Sequence, residues 1–142
     1  MKKTINLLFA LLVIGCVNVL AQTKEADAII GTWMTEKQDA KFQIYRSGEK
    51  YYGKILWGKG EETKDTKNPD ASLRQRNVIG LNLLNSFVYK GKNSWEDGSI
   101  YDPREGKTYS CTLTLISYNK LSVRGFIGVS LFGRSEIWTK TN

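Results

Sequence analysis

The 142-residue chain has no histidine, only two prolines and only two cysteines. Without histidine there is no imidazole general base, no His-activated nucleophile and no His-ligated zinc site. No nucleophile elbow and no phosphate-binding glycine loop is present either. Carboxylate pairs such as Glu96 with Asp102 are the acid–base material that remains, and acids at turns are usually solvated. No catalytic residue, cofactor or metal is therefore assigned. Cys16 lies near the N-terminus, and Cys111 is alone beyond residue 21, so that part can form no internal disulfide. Tyr109, Cys111, Leu113 and Leu115 alternate with Ser110, Thr112 and Thr114, which makes Cys111 a small buried hydrophobe rather than a reactive thiol.

The N-terminus has Lys2 and Lys3, an apolar run from Leu7 to Val13, and a weaker stretch to Ala21. That is the layout of a secretory signal peptide, with Val19 and Ala21 as the small residues before the cut. The run is too short for a membrane span, which needs roughly 20 apolar residues. Export to the periplasm or the extracellular space is expected. An alternative cut exists at Val13-Ile14-Gly15-Cys16, which has the form of a lipobox and would leave a lipid anchor on Cys16. The apolar Val17–Leu20 that follows favours cleavage after Ala21. Membrane contact is expected only if Cys16 is lipidated.

Residues 1–21 are thus read as signal peptide and 22–142 as one domain, large enough for a single core. Loss of Lys2 and Lys3 leaves 19 basic against 14 acidic residues, a net charge of +5. Both signs are interspersed, and no basic helix or RNA-binding aromatic motif is present, so no nucleic-acid partner is expected.

After a helical lead-in through Ala26 to Ile30, the hydrophobic period changes to two. Trp33 opens a first strand. Lys41–Arg46 and Lys50–Trp57 flank a Ser47-Gly48-Glu49 turn and read as a hairpin. The segment from Gly58 to Arg76 is charged, contains Asn68-Pro69-Asp70, and is long for a loop. Val78 to Val88 fits either a helical face or a strand, and Gly80 in its middle favours the strand. Trp95–Tyr101 and Lys107–Ser117 flank Asp102-Pro103-Arg104-Glu105-Gly106, which suits a type I turn closed by a left-handed glycine. Leu121–Ile127 and Arg134–Lys140 complete the set. Seven or eight short strands at such spacing close most simply as an up-and-down barrel or a sandwich.

Several residues stand out as candidates. Gly31-Thr32-Trp33 at the start of an all-β chain reads as a structural plug, with Arg124 or Arg134 as a cation–π partner for the indole. This opening is similar to that of the lipocalin and fatty-acid-binding superfamily, and less closely to that of the avidins. Arg74 and Arg76 alternate, so on a strand both would face one way and could hold an anionic head group; pairing with Asp65, Asp70 or Glu96 is the plainer expectation. Asp65, Asn68 and Asp70 offer three oxygens in six residues but lack the glycine and distal Glu of a calcium loop, and a self-bonded turn is preferred. Tyr52, Trp57, Trp95, Tyr101, Tyr109 and Phe126 are the aromatics placed with Arg74 and Arg76 as candidate ligand contacts, in an interior that is either filled or hollow.

A closer likeness rests on a motif series. Tyr52-Gly53-Lys54-Ile55, Asn68-Pro69-Asp70, Arg74-Gln75-Arg76, Ile79-Gly80-Leu81, Trp95 through Pro103, Gly106-Lys107-Thr108-Tyr109, Leu121 through Gly125 and Gly133-Arg134…Trp138 occur in order. Together they resemble a bacterial family of small exported proteins catalogued as domain of unknown function 2147, over nearly all of residues 31–140. The resemblance implies a lipocalin-like β-barrel of about eight strands outside the cytoplasm. It implies no activity and transfers no catalytic residue. The expected function is binding of a small, partly apolar ligand such as a lipid or envelope component. The alternatives are an envelope structural or interaction module and, third, a hydrolase of an envelope polymer assembled from distant residues. The oligomeric state stays open.

Overall fold

The computed structural model describes residues 19–60 and 63–141. Lys2, Lys3, the Leu7–Val13 run and Cys16 lie outside them. Residues 19–26 are helical and lead into a 3-10 turn at Asp27–Ile29, so the expected lead-in is present. Eight strands follow: β1 (Gly31–Met34), β2 (Ala40–Ser47), β3 (Lys50–Gly58), β4 (Asn82–Gly91), β5 (Ser94–Asp102), β6 (Lys107–Ser117), β7 (Lys120–Phe126) and β8 (Gly133–Thr141). Each pairs antiparallel with the next, and β8 closes on β1. The expected up-and-down barrel is therefore observed, with the full eight strands.

Period-two patterning explains the arrangement. In β6, Cys111 and Leu113 are buried while Ser110 and Thr114 are exposed. Trp33, Phe42, Ile44, Tyr51, Ile55, Leu84, Phe87, Trp95, Leu121, Val123 and Trp138 complete one continuous interior cluster. The polarity is apolar inside and polar outside, the reverse of barrels that span membranes. Curvature has a local cause in β4 and β5. Ser86 and Asp97 both take positive φ, near +60°, and the β5–β6 register shifts between Trp95 and Gly98. Such bulges sharpen the bend of a strand. At Gly98 a Cβ would lie 2.4 Å from the Phe87 ring, so only glycine lets that ring cross the sheet.

Two expectations need correction. The Val78–Val88 run is strand only from Asn82 on; Val78 to Leu81 is a turn, with Gly80 at φ +92°. Leu81 N–H bonds back to Val78 O, and Gly80 N–H donates to Ile55 O. Arg74 and Arg76 do not alternate on a strand, because Ala71–Leu73 forms a 3-10 turn that Arg74 ends. Described residues of the Gly58–Arg76 segment are tied to the barrel wall. Leu83 and Tyr101 face outward by alternation, yet Leu83 is buried and the Tyr101 hydroxyl donates to the fully buried Asp65. Lys67 O also abuts Gly106 so closely that a Cβ there would sit 1.9 Å from it. The segment is a strap against the outer face of β4 and β5.

Candidate functional site

The barrel has two unlike ends. One is sealed by the N-terminal lead-in. Trp33 Nε1 donates to Ile29 O at 2.9 Å, Trp95 Nε1 to Ala26 O at 3.1 Å, and Tyr51 Oη to Asp27 Oδ1 at 2.7 Å. Burial and the Asp27 carboxylate push the Tyr51 phenol well above its ordinary value. Each buried aromatic thus has its polar tip satisfied by the lead-in. Gly31, at φ +143°, passes under Lys140, whose Cε would be 2.7 Å from a Cβ at that position. Trp33 is fully buried, and the cation over its ring is Lys140, with Nζ 5.3 Å from the ring centroid, not Arg124 or Arg134. The register explains the correction: Trp33 pairs directly with Lys140 across β1 and β8. Arg124 and Arg134 lie toward the other end, paired with Ser135 and Gly125. Arg124 donates to Ser135 Oγ at 3.0 Å.

The opposite end carries the β1–β2, β3–β4, β5–β6 and β7–β8 connections. Here the inward positions Ile100, Tyr109, Gly125 and Glu136 are only half-buried, whereas Trp33, Trp95 and Leu121 at the sealed end are fully buried. These half-exposed positions, the cup end, top a filled lower barrel. The floor of the cup end is the stacked pair Phe42 and Trp138, with ring centroids 4.5 Å apart. Trp138 Nε1 donates to Glu136 Oε2 at 3.3 Å. Arg104, on the β5–β6 turn, grips Asp102 through Nε at 3.2 Å and Nη2 at 3.1 Å. Its Nη1 lies 3.8 Å from Asp39 of the β1–β2 loop, which belongs to strands on the far side of the eight-strand ring. The bond to Asp102 raises the Arg104 pKa, and Asp39 and Glu136 add to it, so these three acids converge on one guanidinium over the cup. An aromatic floor beneath one carboxylate and one guanidinium suits a ligand with an apolar body and a polar head.

Of the eight residues singled out in the sequence as ligand contacts, Tyr109 stands at this cup, its hydroxyl bonded to Glu105. Trp95 is core at the sealed end. Tyr52 lies on the outer face, stacked at 5.9 Å on Tyr45, and Trp57 is an exposed residue at the end of β3. Phe126 faces outward beside Gly133, since it alternates with the inward Gly125. Arg74 donates to Asn68 O, and Arg76 and Tyr101 meet on Asp65. Glu96 and Asp102 sit at opposite ends of β5, the first bonded to Ser94 and the second to Arg104. Glu136, Trp138, Phe42, Ile100 and Arg104 were not signalled as a group. The alternation Arg134, Glu136, Trp138, Lys140 is the one clue that puts a carboxylate on the inner face of β8.

The Asp65 cluster is structural. Asp65 Oδ2 accepts from Asn68 Nδ2 at 2.8 Å and from Arg76 Nη2 at 2.8 Å, while Oδ1 accepts from Tyr101. Burial alone would raise its pKa, but the bonds from Tyr101, Asn68 and Arg76 outweigh it and hold the carboxyl below its ordinary value. The same arrangement, with burial as the main cause, pushes Tyr101 up to about 12. Asn68 Oδ1 accepts Asp70 N–H, and Asp70 caps Ser72. The three oxygens read as a self-bonded turn, with their lone pairs turned to protein donors.

Residues 31–140 match the family described as "Uncharacterized protein conserved in bacteria (DUF2147)". Comparison with curated proteins found no match. Among solved structures, the chain is similar to protein HP1028 from the human pathogen Helicobacter pylori, described as belonging to the lipocalin family. The two share 22% identity with a TM-score of 0.75, over 80% of this chain and 83% of that one. At that identity the likeness establishes the lipocalin-like fold.

Proposed function

The chain belongs to the bacterial family of domain of unknown function 2147, and we propose that it is an exported, non-enzymatic carrier of a small amphiphile bound in the open-end cup. The observation that carries this reading is the contrast within one interior: fully buried aromatics at the sealed end, and half-exposed inward residues over the Phe42–Trp138 floor at the other. The filled lower barrel leaves room for the end of an acyl chain or a ring, not for a ligand threaded through the barrel. Glu136 and Arg104 would meet its polar part, and the signal-peptide layout of residues 1–21 supports a site of action outside the cytoplasm. The lipocalin-like fold supports the reading further, since small closed barrels hold single ligands at their mouths.

Native mass spectrometry of protein purified from its own envelope, followed by organic extraction, tests this. A co-purifying small molecule near unit stoichiometry is expected. A clean apo mass that does not shift on adding envelope lipid extract would shift the reading to a structural module that uses the barrel as a scaffold.

A further inference from the structure

The β7–β8 connection has a composition unlike that of ordinary loops. Ile127, Val129, Leu131 and Phe132 are 72%, 58%, 80% and 76% exposed. Surface loops are normally polar, and four large apolar side chains on one connection form a patch that solvent disfavours. The loop is also held in place. Arg124 Nη2 reaches Leu131 O at 3.5 Å, while its Nη1 holds Ser135 Oγ. Phe132 N–H donates to Val129 O at 3.1 Å, within a 3-10 turn at Ser130–Phe132.

The connection itself and its flanks carry charge of one sign. From Leu121 to Ser135 the sequence has two arginines, Arg124 and Arg134, and no acid. Lys107 opens β6 at the same end, three residues before Ser110, which pairs with Phe126. The acids at this end have partners within the protein: Glu105 the Tyr109 hydroxyl, Asp102 and Asp39 the Arg104 guanidinium, and Glu136 the Trp138 indole. An apolar tip on a cationic base is the arrangement that partitions into an anionic lipid interface, where apolar burial and cation attraction add. A second copy of the chain fits less well, because a two-fold contact through this loop would bring like-charged arginines together.

We propose that residues 127–132 form a membrane-docking loop, inserting Ile127, Val129, Leu131 and Phe132 into an anionic bilayer surface with Arg134 and Lys107 at the headgroups. The loop lies at the cup end of the barrel, so docking would turn the mouth toward the lipid. The inference does not depend on the cup holding a ligand.

The test uses the full chain carrying Cys16→Ser, with an environment-sensitive fluorophore on either Leu131→Cys or Tyr118→Cys. Tyr118 is 82% exposed on the turn at the sealed end, and buried Cys111 will not take the label. With mixed phosphatidylethanolamine–phosphatidylglycerol vesicles, the probe at 131 should shift blue and be quenched by brominated acyl chains. The probe at 118 should stay solvent-like, and Arg134→Glu should weaken the response at 131 about ten-fold. No response at 131, equal responses at both positions, or a response at 131 that follows protein concentration without vesicles would each overturn the proposal, the last by showing that the loop covers a second copy. Native mass spectrometry of the ligand is read separately, so failure of one idea leaves the other standing.

Discussion

Asp65 shows how much can depend on one side chain. It is a fully buried carboxylate that ties the strap to β5 through Tyr101 and to itself through Asn68 and Arg76. Asp65→Ala would leave these donors without their acceptor, and buried unpaired donors cost about 1–3 kcal/mol each. We expect a loss of about 3 kcal/mol in urea unfolding, and a smaller loss for Asp65→Asn, which keeps an oxygen. The pH dependence follows from the direction of the shift. The folded carboxyl titrates below its ordinary 3.8, so its stabilisation is complete above that value and fades as pH falls through the folded pKa. The urea midpoint of the native protein should drop more steeply below about pH 4 than that of Asp65→Asn; parallel curves would refute this. Cys111 gives a second residue-scale expectation. Burial pushes its thiol up to about 12, so it should resist alkylation at pH 8 until the barrel is unfolded, as peptide mapping of labelled protein would show. The sequence disclosed Cys111 because its neighbours alternate cleanly. It concealed Lys140 as the cation on Trp33, because that pairing depends on how β8 registers against β1.

At the scale of strands, the alternating segments were legible to within a residue or two, because one face is apolar wherever the barrel needs a core. Lys107–Ser117 is the clearest case. The reading blurred where apolar residues serve a turn, as in Val78–Leu81, where Val78 is buried in the core cluster and Ile79 is exposed. It also missed the paired bulges at Ser86 and Asp97, since a single extra residue leaves composition unchanged. These bulges make a testable element. Gly98→Ala drives a methyl into the Phe87 ring and should cost about 2–3 kcal/mol. Adding Phe87→Leu should recover part of that loss, giving non-additivity in a double-mutant cycle. If Gly98→Ala is neutral in thermal melts, the close approach of ring and strand is not a constraint on the fold.

At the scale of the whole molecule, the sealed end and the open end divide the barrel's work. The lead-in bonds to Trp33, Trp95 and Tyr51 spend the largest aromatics on stability, which is why the aromatic count in the sequence overstated the ligand site. The cup was hard to read in advance because its residues come from β2, β5, β6, β7 and β8 and from one turn, and only closure brings them together. That division predicts separable effects. Ile29→Ala removes a fully buried side chain at the seal and should cost about 2–5 kcal/mol, while leaving ligand stoichiometry in native mass spectra unchanged at temperatures where the protein is folded. Glu136→Gln, half-exposed at the cup, should barely move the melting temperature. It alters the charge that faces Arg104 and the acceptor of the Trp138 indole, so the retained fraction of a co-purifying amphiphile should change at least several-fold. Should Glu136→Gln leave that fraction intact while Ile29→Ala depletes it in folded protein, the ligand would belong to the sealed end, and the half-exposed cup would be only the unfilled top of a structural barrel.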